Sequence, residues 1–245
     1  MTNTRAEKRF HVWMAGVFLL IAFAGFTPSY WARVASGTFT AAPIYHLHGL
    51  LLSAWVCFYF VQTALVASGR TVNHRTWGMA GIALFSAMVC TTVVLGINSM
   101  NIADREGFGD AGRRFSVVTF ISLALLVVLF AAAIATVRRP DVHKRLMVLM
   151  MAVLMQPALG RMFALLFASP GASGPPPLIA TVPIAGLAGI LVIVAIVHDW
   201  RTHGRPHPTY LYGGLFVLVV LLLRIPIASS DAWMAFAGAL QHLMG

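Results

Sequence analysis

Charge is scarce in this chain and acidic charge is scarcer still: Asp, Glu, Lys and Arg make up 10% of the 245 residues, with seven acids against 17 basic residues. No acid falls inside any of the long apolar runs described below. Paired-carboxylate glycoside hydrolysis is therefore left without its reacting groups. A glycine-rich phosphate loop and a Ser-His-Asp order are also missing, which excludes phosphoryl transfer and serine hydrolysis on known patterns. Only two cysteines occur. Cys57 and Cys90 sit mid-membrane in neighbouring apolar segments, where free thiols are expected rather than a disulfide.

What the chain has instead is apolar length. Hydrophobic residues make up 59% of it and the mean hydropathy is +0.84, far from the composition of a soluble domain. Crossing a hydrocarbon layer of ~30 Å takes ~20 apolar residues in a helix. Seven stretches qualify, at about 11–30, 44–67, 77–99, 115–137, 146–168, 178–198 and 209–228. Runs such as "ISLALLVVLFAAAIA" are continuous, whereas a transmembrane β-barrel needs alternating strands of ~10 residues. The expected fold is all-α, a single transmembrane domain over residues 1–245 built as a seven-helix bundle. The first stretch lacks the small-residue cleavage site of a signal peptide and is expected to stay as a helix. Residues 231–244 are too short to span again and weakly amphipathic, which predicts an interfacial segment.

A net charge of +10 would suggest nucleic acid in a soluble protein. Here topology explains it, and no nucleic-acid partner is expected. Eleven Lys and Arg residues lie in the N-terminus and in the connectors after the second, fourth and sixth stretches. Four (Arg33, Arg105, Arg113, Arg114) lie in the opposite set. The positive-inside rule then puts the N-terminus in the cytoplasm and the C-terminus outside, with the bilayer of a bacterial inner membrane as the first partner.

The basic connectors carry an internal echo. "GRTVNHRTWGM" and "RRPDVHKRLMVLM" share Arg-x-x-x-His-basic, matching Arg70, His74 and Arg75 with Arg139, His143 and Lys144. A third turn, "DWRTHGRPHPTYLYG", is equally rich in Arg and His without that spacing. Three hairpins closed by such turns fit a duplicated ancestor.

Two candidate sites follow. At ~100° per residue, His48, Trp55, Tyr59 and Gln62 form one polar-aromatic stripe down the second helix. His46 points to another face, stacked over Ser53 and Cys57, residues small enough for close helix packing. His46, His48, Arg161, Arg224 and Asn98 share one depth near the outer ends of their helices. An arginine in a membrane segment costs at least ~2.5 kcal/mol on insertion scales. With no acid in the segments, the two arginines either snorkel to headgroups or hold an anion: a haem propionate, a lipid phosphate, an anionic substrate or Asp231 folding back. At the inner boundary, His74, His143, His198 and His207 start or end four helices, with Asp199, His203 and His11 nearby. That set is the candidate for a transition metal or haem b, because neutral imidazole is a good ligand for both. Met147, Met151, Met155 and Met162 on the fifth helix are expected to be packing filler.

"YHLHGLLLSAWVCFYFVQTALVASGRTVNHRTWG", "DVHKRLMVLMMAVLMQPALGRM" and "GRPHPTYLYGG" together resemble a group of uncharacterised bacterial polytopic membrane proteins, in which HLHG, HR-x-x-G, HKRLM and R-x-HP elements recur. More distantly, helices that open with His-basic-x-x are similar to those of membrane b-type cytochromes and of small proteins that help assemble haem-copper oxidases. That resemblance implies redox or haem-handling work, with His74 and His143, or His48 and a partner, as ligands. The residues themselves leave two further readings. One is a carrier, receptor or sensor whose His48, Trp55, Tyr59, Gln62, Arg161 and Arg224 line an outward pocket for a small anionic or amphiphilic ligand. The other is an accessory subunit of a membrane complex or homo-oligomer.

Overall fold

The computed structural model describes residues 5–169 and 171–243, and among them it holds eight helical segments and no strand. Seven are long and apolar enough to cross a membrane: α1 (Arg5–Ala35), α2 (Pro43–Ala67), α3 (Thr71–Arg105), α4 (Gly109–Ala135), α5 (Pro140–Phe167), α6 (Leu178–His203) and α7 (Pro208–Ile227). The protein is therefore a multi-pass membrane protein with an all-α fold. The eighth, α8 (Asp231–His242), docks on α3 and α4. Met244, the end of the expected interfacial segment, lies outside the described residues.

Short connectors make neighbouring passes antiparallel, so α1, α3, α5 and α7 begin at one end of the bundle, where α2, α4 and α6 finish. This is the basic end, and the other is called the far end below. Helix α5 is central: it packs against α4, α6 and α7, and its second half against α1. Every residue from Val148 to Val153 on it is at most 2% exposed. Met151 and Met155 are buried in this core while Met162 is exposed, as packing filler at the centre of a bundle should be.

The helices run further into the basic connectors than the apolar stretches do. Hydropathy stops at the first charges, but the backbone ladder continues, and each buried stripe extends one turn onto a charged residue. On α1 the stripe is Glu7, Met14, Phe18 and Gly25. On α6 it is Ala185, Ala188, Val192, Ala195 and Asp199. The expectation that no acid lies in a spanning helix is thereby corrected, because Glu7, Asp141 and Asp199 are all helical.

Two helices are broken. Helix α1 carries a π-helical turn at Thr27–Trp31 containing Pro28. Helix α5 is interrupted at Met155, where Pro157 supplies no N–H to the preceding turn. The breaks lie next to a close crossing. A Cβ placed on Gly25 would stand 2.5 Å from the Ala158 carbonyl oxygen, so only glycine lets the two backbones meet there.

At the far end, α8 is capped by Ser230, whose hydroxyl accepts from the Trp233 N–H. The Trp233 indole N–H donates to the Arg113 carbonyl at 3.0 Å, and Trp233 and Ala237 pack against Ile97, Met100 and Val117. The segment packs against α3 and α4.

Candidate functional site

At the basic end α5, α6, α1 and α7 bring buried opposite charges together. Arg145, 2% exposed, donates from Nε to Asp199 Oδ2 at 2.7 Å and from Nη2 to Asp199 Oδ1 at 2.8 Å. Its Nη1 donates to the Asp141 carbonyl at 2.7 Å, and Nη2 also lies 3.5 Å from Glu7 Oε1. The Lys144 ammonium pairs with the same Glu7 oxygen. The Tyr210 ring sits 5.7 Å from the Arg145 guanidinium. A two-pronged arginine–carboxylate contact of this kind is both strong and geometrically demanding. His203 lies between the acids, with Nε2 3.9 Å from Glu7 and Nδ1 3.9 Å from Asp199.

His207 closes the cluster. Its Nδ1 accepts from the Thr209 N–H at 3.2 Å and so caps α7. In the neutral ring the proton is then on Nε2, which donates to Asp141 Oδ2 at 3.3 Å. Burial pushes the His207 pKa below the ordinary histidine value and the Arg145 charge adds to this, while Asp141 pulls the other way. His203 and His207 are four residues apart, yet Gly204, with φ +73°, ends α6 between them. The spacing therefore does not present them on one helix face.

The far end is built differently. Arg224, fully buried, donates to the Leu221 carbonyl at 3.0 Å, Ser122 Oγ at 3.0 Å and Gln156 Oε1 at 3.1 Å. All three partners are neutral. Arg161 is exposed; it donates to Ser29 Oγ and to the Pro157 carbonyl, both at 3.1 Å, and lies 4.3 Å from the centre of the Phe26 ring. With Arg33, Ser29, Gly25, Pro28, Ala164 and Leu165 it lines a cavity of about 380 Å³. The cavity thus lies beside the π-turn of α1 and the second half of α5. Among the described residues neither arginine pairs with an acid, and Asp231 is exposed and reaches neither.

The two histidines of "HLHG" diverge as their helical phase predicts. His46 Nδ1 lies 3.2 Å from the Tyr30 hydroxyl on α1. His48 Nδ1 lies 3.0 Å from Thr91 Oγ1 on α3, and the Thr91 hydroxyl already donates to backbone carbonyls of Ala87 and Met88. The Nδ1 of His48 is then the donor, which leaves Nε2 as a free acceptor when the ring is neutral. Asn98 donates to the Tyr45 hydroxyl at 2.9 Å.

The lower stripe faces inward, away from the far-end cavity. Trp55 packs on Phe85 and Phe130, and Tyr59 on Phe18. The Trp55 indole N–H and both polar atoms of the Gln62 amide are buried without a hydrogen bond.

Of the four boundary histidines, the structure brings two together. The His74 and His143 rings stand 6.4 Å apart in an edge arrangement. His143 Nδ1 donates to the Ala133 carbonyl at 2.8 Å, leaving Nε2 free. The sequence echo is structurally real at this point: Arg70 and Arg139 both precede the first helical residue, and each carbonyl accepts from the histidine four residues on. His198 stacks on Phe10 at 3.8 Å, and both nitrogens of His207 are engaged. Among the described residues, the group of three or more donors close enough to share an ion is Glu7, Asp199 and His203. A divalent ion does not fit there, because Arg145 and Lys144 already occupy those carboxylates. Among the described residues, the four histidines do not gather as one close donor group.

Sequence reasoning missed Glu7, Arg145, Lys144, Asp141, Tyr210 and Gln156 as site residues. The signal was present as phase: Arg145, Leu149, Ala152, Gln156 and Leu159 follow one buried face of α5. The chain matches no protein-family model, no curated protein and no solved structure.

Proposed function

We propose that the protein is a membrane carrier whose far-end cavity admits a small anionic amphiphile. The observation that carries this reading is the cavity of about 380 Å³ beside two interrupted helices, with two arginines that have no acid partner among the described residues. Discontinuous helices supply binding groups in many transporters because their free backbone groups face a cavity. Arg161 and Arg33 would hold a carboxylate, sulfate or phosphate, while Gly25, Pro28, Ala164 and Leu165 accept an apolar tail. The gathering of basic residues at the opposite end supports reading this as the outer face of a bacterial inner membrane. The basic end is closed by the Glu7, Lys144, Arg145 and Asp199 cluster. Because α1 and α5 contribute to both ends, opening one can be coupled to closing the other.

Thermal unfolding of the purified chain with decanoate, and with decanol as the neutral control, tests the reading. Decanoate should stabilise the wild type well beyond decanol, and Arg161→Leu should lose most of that difference. Equal stabilisation by both probes, or an unchanged shift in Arg161→Leu, removes it.

A redox or haem-handling role keeps one supporting observation, the His74–His143 pair with His143 Nε2 free. The visible spectrum of protein from haem-replete cells tests that role: a Soret band lost in His143→Ala supports it, and a featureless spectrum ends it.

A further inference from the structure

A cavity at the basic end is not part of the ion-pair cluster. It measures about 700 Å³ and is lined by Arg5, Lys8, Arg9, Val12 and Trp13 of α1 and Ala67 at the end of α2. Arg5, Lys8 and Arg9 recur at i, i+3 and i+4, which puts them on one face. None of them pairs with an acid among the described residues. Glu7, the acid on this stretch, points into the bundle against Lys144 and Arg145. The cations thus gather at one wall of a hollow with no resident counter-charge.

Below that wall the chemistry changes over one helical turn. Val12 and Ala67 are apolar, and Trp13 is 57% exposed. Trp13 lies four residues after Arg9, so ~6 Å deeper along the helix axis. Cationic side chains followed within one helical turn by an amphipathic aromatic ring and apolar side chains are what a phospholipid headgroup and the start of its acyl chains would meet. A soluble anion would use the arginines and lysine but gain nothing from Trp13 and Val12.

We propose that this hollow is a binding site for an anionic phospholipid, its phosphate held by Arg5, Lys8 and Arg9 and its acyl chain laid along Val12, Trp13 and Ala67. The site is separate from the far-end cavity and stands whether or not that cavity transports anything. Arg5 and Arg9 are exposed, Lys8 is half-buried and none of the three belongs to the core, so Arg5→Gln, Lys8→Gln and Arg9→Gln can be combined without removing a core side chain.

Native mass spectrometry of the full chain, titrated with phosphatidylglycerol and with phosphatidylcholine, tests the site. Phosphatidylglycerol should bind about tenfold more tightly than phosphatidylcholine, and the triple variant should lose that preference while keeping its phosphatidylcholine affinity. Inorganic phosphate should not displace the lipid. Brominated phosphatidylglycerol should quench the wild type more than Trp13→Phe, which places the lipid at this hollow. Equal affinity for the two lipids, an unchanged triple variant, displacement by phosphate, or equal quenching in Trp13→Phe overturns the proposal.

Discussion

The two ends of this bundle solve the same problem, a buried arginine, in opposite ways. Arg145 at the basic end meets a carboxylate in a two-pronged contact with a second acid beside it. Arg224 at the far end meets a hydroxyl, an amide oxygen and its own helix's carbonyl. One is locked by charge neutralisation and the other is solvated by neutral dipoles. The difference teaches that the basic end is organised for closure, whereas the far end holds Arg224 on neutral dipoles and leaves Arg161 and Arg33, without acid partners among the described residues, beside a cavity.

The strongest way to break the comparison is to remove charge from the basic end. Arg145→Ala should destabilise the protein by about 3–5 kcal/mol, because it strands a buried carboxylate. The double variant Arg145→Ala with Asp199→Ala should recover part of that loss. Thermal unfolding in detergent measures both, and a double variant as damaged as the sum of its singles would count against a direct pair. Arg224→Leu should cost less, about 1–3 kcal/mol, since it leaves only neutral partners unpaired. If Arg224→Leu proves as damaging as Arg145→Ala, the contrast between the ends fails.

Gly25→Ala should cost about 1–3 kcal/mol by forcing α1 off α5. It should also alter the decanoate response, because the crossing lies beside the cavity. His48→Ala should cost about 1 kcal/mol, the worth of one hydrogen bond to Thr91.

The smallest effect is the pH dependence carried by His207. Its folded pKa is depressed, so between the folded and unfolded values the unfolded chain holds the extra proton. The stabilisation is therefore complete above the unfolded value of about 6.5 and declines as pH falls from there through the folded pKa. His207→Asn keeps a side-chain acceptor for the α7 cap and removes the titration. The difference between its stability curve and that of the wild type should open below neutral pH and vanish above it.

Much of this was legible in the sequence. Apolar length alone specified seven passes, and the 100° phase separated His46 from His48 and put Trp55, Tyr59 and Gln62 on one face, which the structure buries in the core instead of lining an outward pocket. The limits were also physical. Hydropathy cannot see a charge that is neutralised by another helix, so Glu7 and Asp199 were placed outside segments whose buried faces they complete. Shared depth grouped Arg161 with Arg224, but depth says nothing of azimuth, and one faces a cavity while the other faces Gln156. The basic turns named four histidines, although only His74 and His143 meet, while His198 stacks on Phe10 and His207 on α7 reaches Asp141.

The crossing of α1 and α5 at Gly25 and Ala158 has a mechanical meaning. From Gly25 to Glu7 is 18 residues, or ~27 Å of helix, and from Gly25 to Arg33 is only eight, or ~12 Å. The contact divides α1 into arms of unequal length about a point where neither backbone can slide closer. A tilt of α1 on that fulcrum that narrows the cavity by a small distance would sweep Glu7 through roughly twice as much, enough to set a lock at one end by a touch at the other.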